Sequence, residues 1–164
     1  MSEIVVERLL DRPRAEVFSL LADFKAFHKV YALVDKSPLH EGSAPTGVGA
    51  ERTCYLTDGN QLHERIAAME EGRSLTVDIY DSTMPIKSCT VRFELADQGK
   101  QTKLTITATY KLKFGVLGKL MDAMAVKKQF TGNLNVMIAG IDHHLRTGEY
   151  IDESYVGSLK EKVA

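Results

Sequence analysis

The residues able to do chemistry are few. Glu64 sits in the run Leu62-His63-Glu64-Arg65-Ile66, so a strand there turns its carboxylate to the same side as Leu62 and Ile66. An unpaired buried carboxylate is costly enough to take up a proton or a partner. Two roles follow: a polar anchor for ligand hydroxyls, directly or through water, or an ion pair with Arg52, which shares the inward phase on the preceding strand. Tyr110 ends a row of apolar residues and offers a phenol to a ligand carbonyl, though a hydroxyl placed at the rim is the simpler reading. His63 and His28 are candidates for acid–base work, but His63 faces outward by the phase that points Glu64 inward. His143 and His144 are adjacent, so they diverge on a helix; with no neighbour at metal-ligand spacing, they read as surface residues. Lys127 and Lys128 interrupt an apolar stripe, marking a solvent opening, a carboxylate site or, most simply, a solvated face over which Lys stems snorkel. Cys54 and Cys89 lie far apart with no Cys or His at ligand spacing, which implies two free buried thiols. No metal and no cofactor is expected.

The elements that must position these residues follow from periodicity. Ile4 to Leu10 is an apolar, β-branched run, after which Asp11-Arg12-Pro13 starts a helix, with Asp11 as the cap. Ala15, Val17, Phe18, Leu20, Leu21 and Phe24 recur at helical spacing, and the helix is expected to run raggedly towards Tyr31. A weak strand over 33–39 precedes a loop over 41–49 holding Gly42, Pro45, Gly47 and Gly49. Strands over 50–56 and 62–69 are joined by Thr57-Asp58-Gly59-Asn60, a hairpin signal because Asp-Gly tolerates positive φ. Further strands are expected over 75–80, 87–95 and 102–113. The last alternates, with Leu104, Ile106, Ala108, Tyr110 and Leu112 on one face and Lys103, Thr105, Thr107, Thr109 and Lys111 on the other. Beyond Gly115 the period becomes helical through Leu117, Leu120, Met121, Met124, Phe130, Leu134, Met137, Ile138, Ile141 and Leu145, until Gly148 stops it. This order predicts an α+β fold with one antiparallel sheet, a single domain over 1–149 and a polar tail over 150–164.

At 164 residues, 44% hydrophobic and 26% charged, the chain is long enough to bury a core with surface left for a cavity. Against 21 Lys plus Arg stand 22 Asp plus Glu, a net charge of -1. No strong field gathers phosphates, which argues against nucleic acid as a partner. The segment MSEIVVERLLDRP has acids where a signal peptide needs bases, and no apolar run approaches the roughly 20 residues that span a bilayer. The expectation is a cytoplasmic protein without integral membrane association.

Propagating the alternation from strand to strand gives an inward set of Cys54, Leu56, Leu62, Glu64, Ile66, Val77, Ile79, Cys89, Val91, Phe93, Leu104, Ile106, Ala108 and Tyr110. The long helix closes over them with Leu120, Met124, Phe130, Leu134, Met137 and Ile141, and Met adapts to irregular ligands. These residues either line a cavity or simply fill a core.

Several blocks, in order, carry a resemblance: Arg12-Pro13 before Val17-Phe18, Gly47-Val48-Gly49-Ala50-Glu51-Arg52, Gly59 to Glu64-Arg65-Ile66, Pro85, and the ending Asp142-His143-His144-Leu145-Arg146-Thr147-Gly148-Glu149. Over nearly the whole chain it resembles the START-like (SRPBCC) polyketide cyclase, lipid-transport and ligand-binding superfamily. Birch-pollen-type allergens and plant abscisic acid receptors use the same fold. The resemblance implies a helix-grip architecture: a seven-stranded curved antiparallel sheet wrapped around a long C-terminal helix, two short helices after strand one, and a cavity between. It also implies a gate loop at Thr57, Asp58, Gly59 and Asn60 and a latch loop at Ser82 to Ile86, with Met84, Pro85 and Ile86 at its centre. The receptors' gate sequence Ser-Gly-Leu-Pro-Ala and latch sequence His-Arg-Leu are absent, so hormone reception is not implied.

The function expected is binding or transport of a small hydrophobic or amphipathic molecule, a lipid, isoprenoid or polyketide, with the loops over the mouth. The alternative is a cyclase or dehydratase in which Glu64, with Tyr110 or His63, moves protons. A third is a regulatory role in which the gate loop and helix form a partner surface. The oligomeric state stays open.

Overall fold

The computed structural model describes residues 1–113, 123–151 and 155. Strand β1 (Ser2–Leu10) buries Ile4, Val6 and Leu10 on one face. Helix α1 (Arg14–Ala22) begins after Pro13, whose extended ψ of 148° makes it the N-cap, without a side-chain cap bond. Asp11 therefore does not cap, contrary to expectation. Proline holds the residue before it out of the α region, so the helix starts two residues later than Asp11 requires.

Nor does the helix continue to Tyr31. It stops at Asp23 and resumes as one 3-10 turn, Phe27–Lys29. The groups that would carry a helix across the gap are engaged elsewhere. Arg52 Nη1 donates to the Phe24 carbonyl at 2.8 Å, and the His28 N–H turns to Ser37 Oγ at 3.3 Å. Strand β2 (Val34–Lys36) is shorter than the expected span, ending before buried Ser37 and exposed Pro38; Leu39 keeps an isolated bridge to Arg52.

Strands β3 (Glu51–Leu56), β4 (Gln61–Glu70), β5 (Ser74–Ser82), β6 (Ile86–Gln98) and β7 (Gln101–Leu112) complete one antiparallel sheet in the order β1-β7-β6-β5-β4-β3-β2. The β3–β4 turn is built as its residues suggest. Gly59 takes φ +88°, and Asp58 Oδ1 accepts the Asn60 N–H at 2.9 Å. On β7, Leu104, Ile106, Ala108 and Tyr110 are buried while Thr105, Thr107 and Thr109 are half-exposed on the other face.

Helix α2 (Ala123–Thr147) lies across the covered face of the sheet and buries Leu134, Met137, Ile138 and Ile141. Leu117, Leu120 and Met121, expected in the same helix, lie outside the described residues, as does most of the predicted tail. Gly148 ends α2 with φ +73°, its N–H bonded to the His144 carbonyl at 2.7 Å. Ile151 is tied to the Lys29 carbonyl at 2.9 Å. Gly140 is required where α2 crosses this segment: a Cβ there would overlap the Val30 carbonyl oxygen and Ile151 Cδ1. The curved sheet and long C-terminal helix make this a helix-grip fold. No helix among the described residues is long and apolar enough to cross a membrane.

Candidate functional site

The register of β3 and β4 puts Arg52 directly opposite Glu64, and alternation turns both towards α2. Arg52 Nε donates to Glu64 Oε2 at 2.7 Å, and Nη2 lies 2.6 Å from the same oxygen as the ion-pair contact. The side chains are only 4% and 7% exposed, so this is a fully desolvated ion pair. Such a pair is steadied by further bonds to its buried donors. Here Nη1 takes the Phe24 carbonyl, and the guanidinium carbon lies 3.8 Å from the Phe24 ring centroid and 4.2 Å from that of Phe27. The pair thus pins the α1-to-β2 connection onto the sheet.

Cys54 adds its thiol to Glu64 Oε2 at 3.4 Å. Burial, and then the Glu64 charge, push the Cys54 thiol well above the usual range. Cys89 is pushed up to about 12 by burial first, then by Glu64 and Asp78. Both thiols are free and buried, and at neutral pH they are inert. The same two causes, burial and the Glu64 charge, raise the Tyr31 phenol far above its ordinary value. Tyr31 packs edge-on against Phe27 with centroids 5.5 Å apart.

Beside this polar end the sheet and helix enclose a cavity of about 50 Å³. Leu62, Glu64, Val77, Ile79, Val91 and Phe93 border it from β4, β5 and β6; Phe130, Leu134 and Met137 close it from α2; Phe27, Tyr31, Val34 and Arg52 complete the wall. A water needs roughly 10–15 Å³ of such space. The cavity therefore has room for a few waters, whereas sites for drug-sized ligands run to about 300–1,000 Å³.

Of the residues expected to face inward, Cys54, Ile66, Cys89, Leu104, Ile106, Ala108 and Tyr110 are buried but do not border the cavity, and Leu56 is half-buried outside it. They fill core. Tyr110 is not at a rim: it is 4% exposed and meets Phe130 edge-on at 5.1 Å, away from Glu64. Met124 does not close the cavity either, being 81% exposed. At 3.6 residues per turn it lies only about 40° around α2 from buried Ile138, but it sits in the first turns of the helix, where nearly every described side chain is exposed. Lys127 and Lys128 are exposed.

The two loops meet each other rather than the cavity. Thr83 Oγ1 donates to Asn60 Oδ1 at 2.9 Å and accepts the Gln61 N–H at 2.8 Å. Thr57, Asp58, Gly59 and Pro85 are exposed, Asn60 and Met84 are half-buried, and Ile86 is buried as the first residue of β6. Phe27, Tyr31 and Val34 were not expected in the wall, whereas Arg52 was expected to face inward on its strand. The only signal was the aromatic pair Phe27 and Tyr31, four residues apart in a stretch whose periodicity was failing.

The histidines serve elsewhere. His28 Nδ1 is bonded to Ser37 Oγ at 2.9 Å. On the open face of the sheet, Thr53 Oγ1 joins His40 Nε2 at 2.8 Å to His63 Nδ1 at 3.0 Å, and His40 Nδ1 meets Glu51 Oε2 at 3.2 Å. His143 packs on Tyr155 and His144 stacks on Tyr150. Among the described residues no group of three or more His, Cys, Asp or Glu could hold a metal ion.

A helix-grip sheet closed over an apolar cavity with one buried ion pair defines a class of proteins built around an interior. Within it, the chain belongs to the polyketide cyclase/dehydrase and lipid transport family, whose model matches residues 1–143. No curated protein matches the sequence. Among solved structures, the protein XoxI from Bacillus cereus is 14% identical with a TM-score of 0.74, covering 90% of this chain and 97% of its own. A START superfamily protein from Mycobacterium smegmatis is 11% identical with a TM-score of 0.73, covering 88% and 97%. The di-domain ARO/CYC BexL, from the BE-7585A biosynthetic pathway, is 14% identical with a TM-score of 0.72; 89% of this chain matches 47% of that one. At such identities the likeness is one of fold.

Proposed function

We propose that the protein binds a small, largely apolar molecule non-covalently between the sheet and α2. The observation that carries this reading is the cavity itself, lined mostly by apolar side chains of the sheet and α2, with Arg52, Glu64 and Tyr31 as its polar members. Its present size requires the walls to part on binding. Phe130 and Met137 are suited to that: Phe130 is only half-buried, and the unbranched thioether of Met137 repacks at low cost. Family membership supports the reading, since the family joins lipid transport to polyketide chemistry.

The acid–base alternative is weaker, because Glu64 has neither Tyr110 nor His63 beside it, His63 being bonded to Thr53 on the open face. Tyr110 packs on Phe130 outside the cavity, and Glu64 gives one oxygen wholly to Arg52 and Cys54. The test is titration with the neutral fluorophore N-phenyl-1-naphthylamine. Saturable one-to-one binding is expected; Val91→Phe, which fills the cavity, should weaken it at least tenfold, and Phe130→Ala should tighten it. Absent saturation, or equal binding by a folded Val91→Phe variant, would refute the reading.

A further inference from the structure

Two buried polar groups at the cavity have spare hydrogen-bonding capacity. Glu64 spends Oε2 on the Arg52 guanidinium and the Cys54 thiol, while its Oε1 has no hydrogen-bond partner among the described residues. The Tyr31 hydroxyl has none there either, although Tyr31 is 8% exposed and borders the same cavity. Nor do these two groups bond each other. Among the described residues no fully buried side-chain N or O atom lacks a partner, so these two oxygens keep some open surface, and what occupies that space must suit them both.

Their chemistry is asymmetric. The carboxylate oxygen only accepts, whereas the phenol donates and accepts. Burial and the Glu64 charge keep the Tyr31 phenol protonated across the physiological range, so its O–H stays available. A hydrocarbon would leave both groups unpaired, and a ketone or ether would serve Tyr31 alone. A carboxylate would place a second negative charge beside Glu64, with Arg52, the one cation in the described wall, already committed to Glu64 and the Phe24 carbonyl. An ammonium would sit beside the Arg52 guanidinium. A hydroxyl donates to Oε1 and accepts from Tyr31, satisfying both groups without adding charge.

We infer that the cavity selects a neutral, mostly apolar molecule bearing a hydroxyl, an alcohol or phenol, with that hydroxyl seated between Tyr31 and Glu64. The inference rests on the reading that the cavity binds a small apolar molecule, and it adds the ligand's polar group. Sites that hydrogen-bond a ligand hydroxyl reject the analogue lacking it, because their own buried groups are then left bare.

The experiment is calorimetric titration of the full chain with 2-naphthol, naphthalene, 2-naphthoate and 2-naphthylmethylamine, which share one ring system. The native protein should bind 2-naphthol at least tenfold more tightly than each of the other three. Tyr31→Phe, checked for an unchanged melting temperature, should lower 2-naphthol affinity about five- to tenfold and leave naphthalene affinity unchanged. The series on the native protein decides the matter even if that variant folds poorly. Equal affinity for naphthalene and 2-naphthol, or preference for either ion, overturns the hydroxyl assignment while leaving cavity binding intact. Failure of all four, together with failure of N-phenyl-1-naphthylamine, overturns both.

Discussion

Arg52 and Glu64 face each other across β3 and β4 on the side covered by α2; the next pair along, Glu51 and Arg65, faces away on the open side. The residue types are the same and the strands are the same. The inner side chains are 4% and 7% exposed and meet at 2.6 Å, whereas Arg65 and Glu51 are 47% and 33% exposed and stand 3.8 Å apart. The inner pair is wrapped by Phe24, Phe27 and Cys54. The outer Glu51 shares its charge among Arg65, His40 and water-facing surroundings. One step of strand alternation thus converts a solvated surface pair into a fixed polar end for a cavity, because the dielectric around each pair differs and so does the cost of leaving either partner alone.

The most severe way to break this contrast is to remove one arginine from each side. Arg52→Met leaves Glu64 buried and uncompensated and is expected to cost about 3–5 kcal/mol. Arg65→Met should cost under about 1 kcal/mol. Urea midpoints measure both, and equal losses would erase the distinction. Adding Glu64→Leu to Arg52→Met should restore most of the lost stability, since the penalty belongs to the orphaned charge.

Alkaline pH probes the inner side next. The Cys89 thiol has an ordinary value of 9.0 and is raised to about 12 in the folded protein. A group raised on folding contributes stability that is complete below its unfolded value and is lost as pH rises through the folded one. Melting temperature should therefore fall from about pH 9 upward and continue falling towards about 12. Cys89→Ala should make that limb shallower, with the Cys54 thiol and Tyr31 phenol supplying the remainder; an unchanged slope would remove the thiol from the account.

On the open face, Thr53→Val deletes the hydroxyl that joins His40 to His63. The cost should be about 1 kcal/mol, because both half-exposed rings can turn to water. The smallest effect is that of salt. Raising ionic strength from 0.1 to 1 M shortens the screening length from about 10 to about 3 Å. The small loss in Arg65→Met should vanish on that change, while the loss in Arg52→Met should persist.

Much of this arrangement was legible in the sequence. Alternation through Leu62, Glu64 and Ile66 put the carboxylate inside, the same phase offered Arg52 as its partner, and Asp58-Gly59 set the turn that fixes their register. The seven strands, the long helix and the apolar walls at Val77, Ile79, Val91, Phe93, Leu134 and Met137 follow from the same periodicities, which are local and repeat every two or 3.6 residues. Met124 was misread because angle alone does not show where a helix leaves the sheet: it lies about 40° around α2 from buried Ile138, yet the first turns of the helix are largely exposed.

What only the tertiary structure decided is which buried residues meet empty space and which meet each other. Ile106, Ala108 and Tyr110 share the phase of the cavity wall, yet they fill core, Tyr110 beneath Phe130. Tyr31 and Phe27 belong to no periodic element, because the helix that should have carried them is interrupted where Arg52, 28 residues away, takes the Phe24 carbonyl. Periodicity tells a residue's face, which is a property of its own strand or helix. The boundary of a cavity comes from contacts between distant segments that no local pattern encodes.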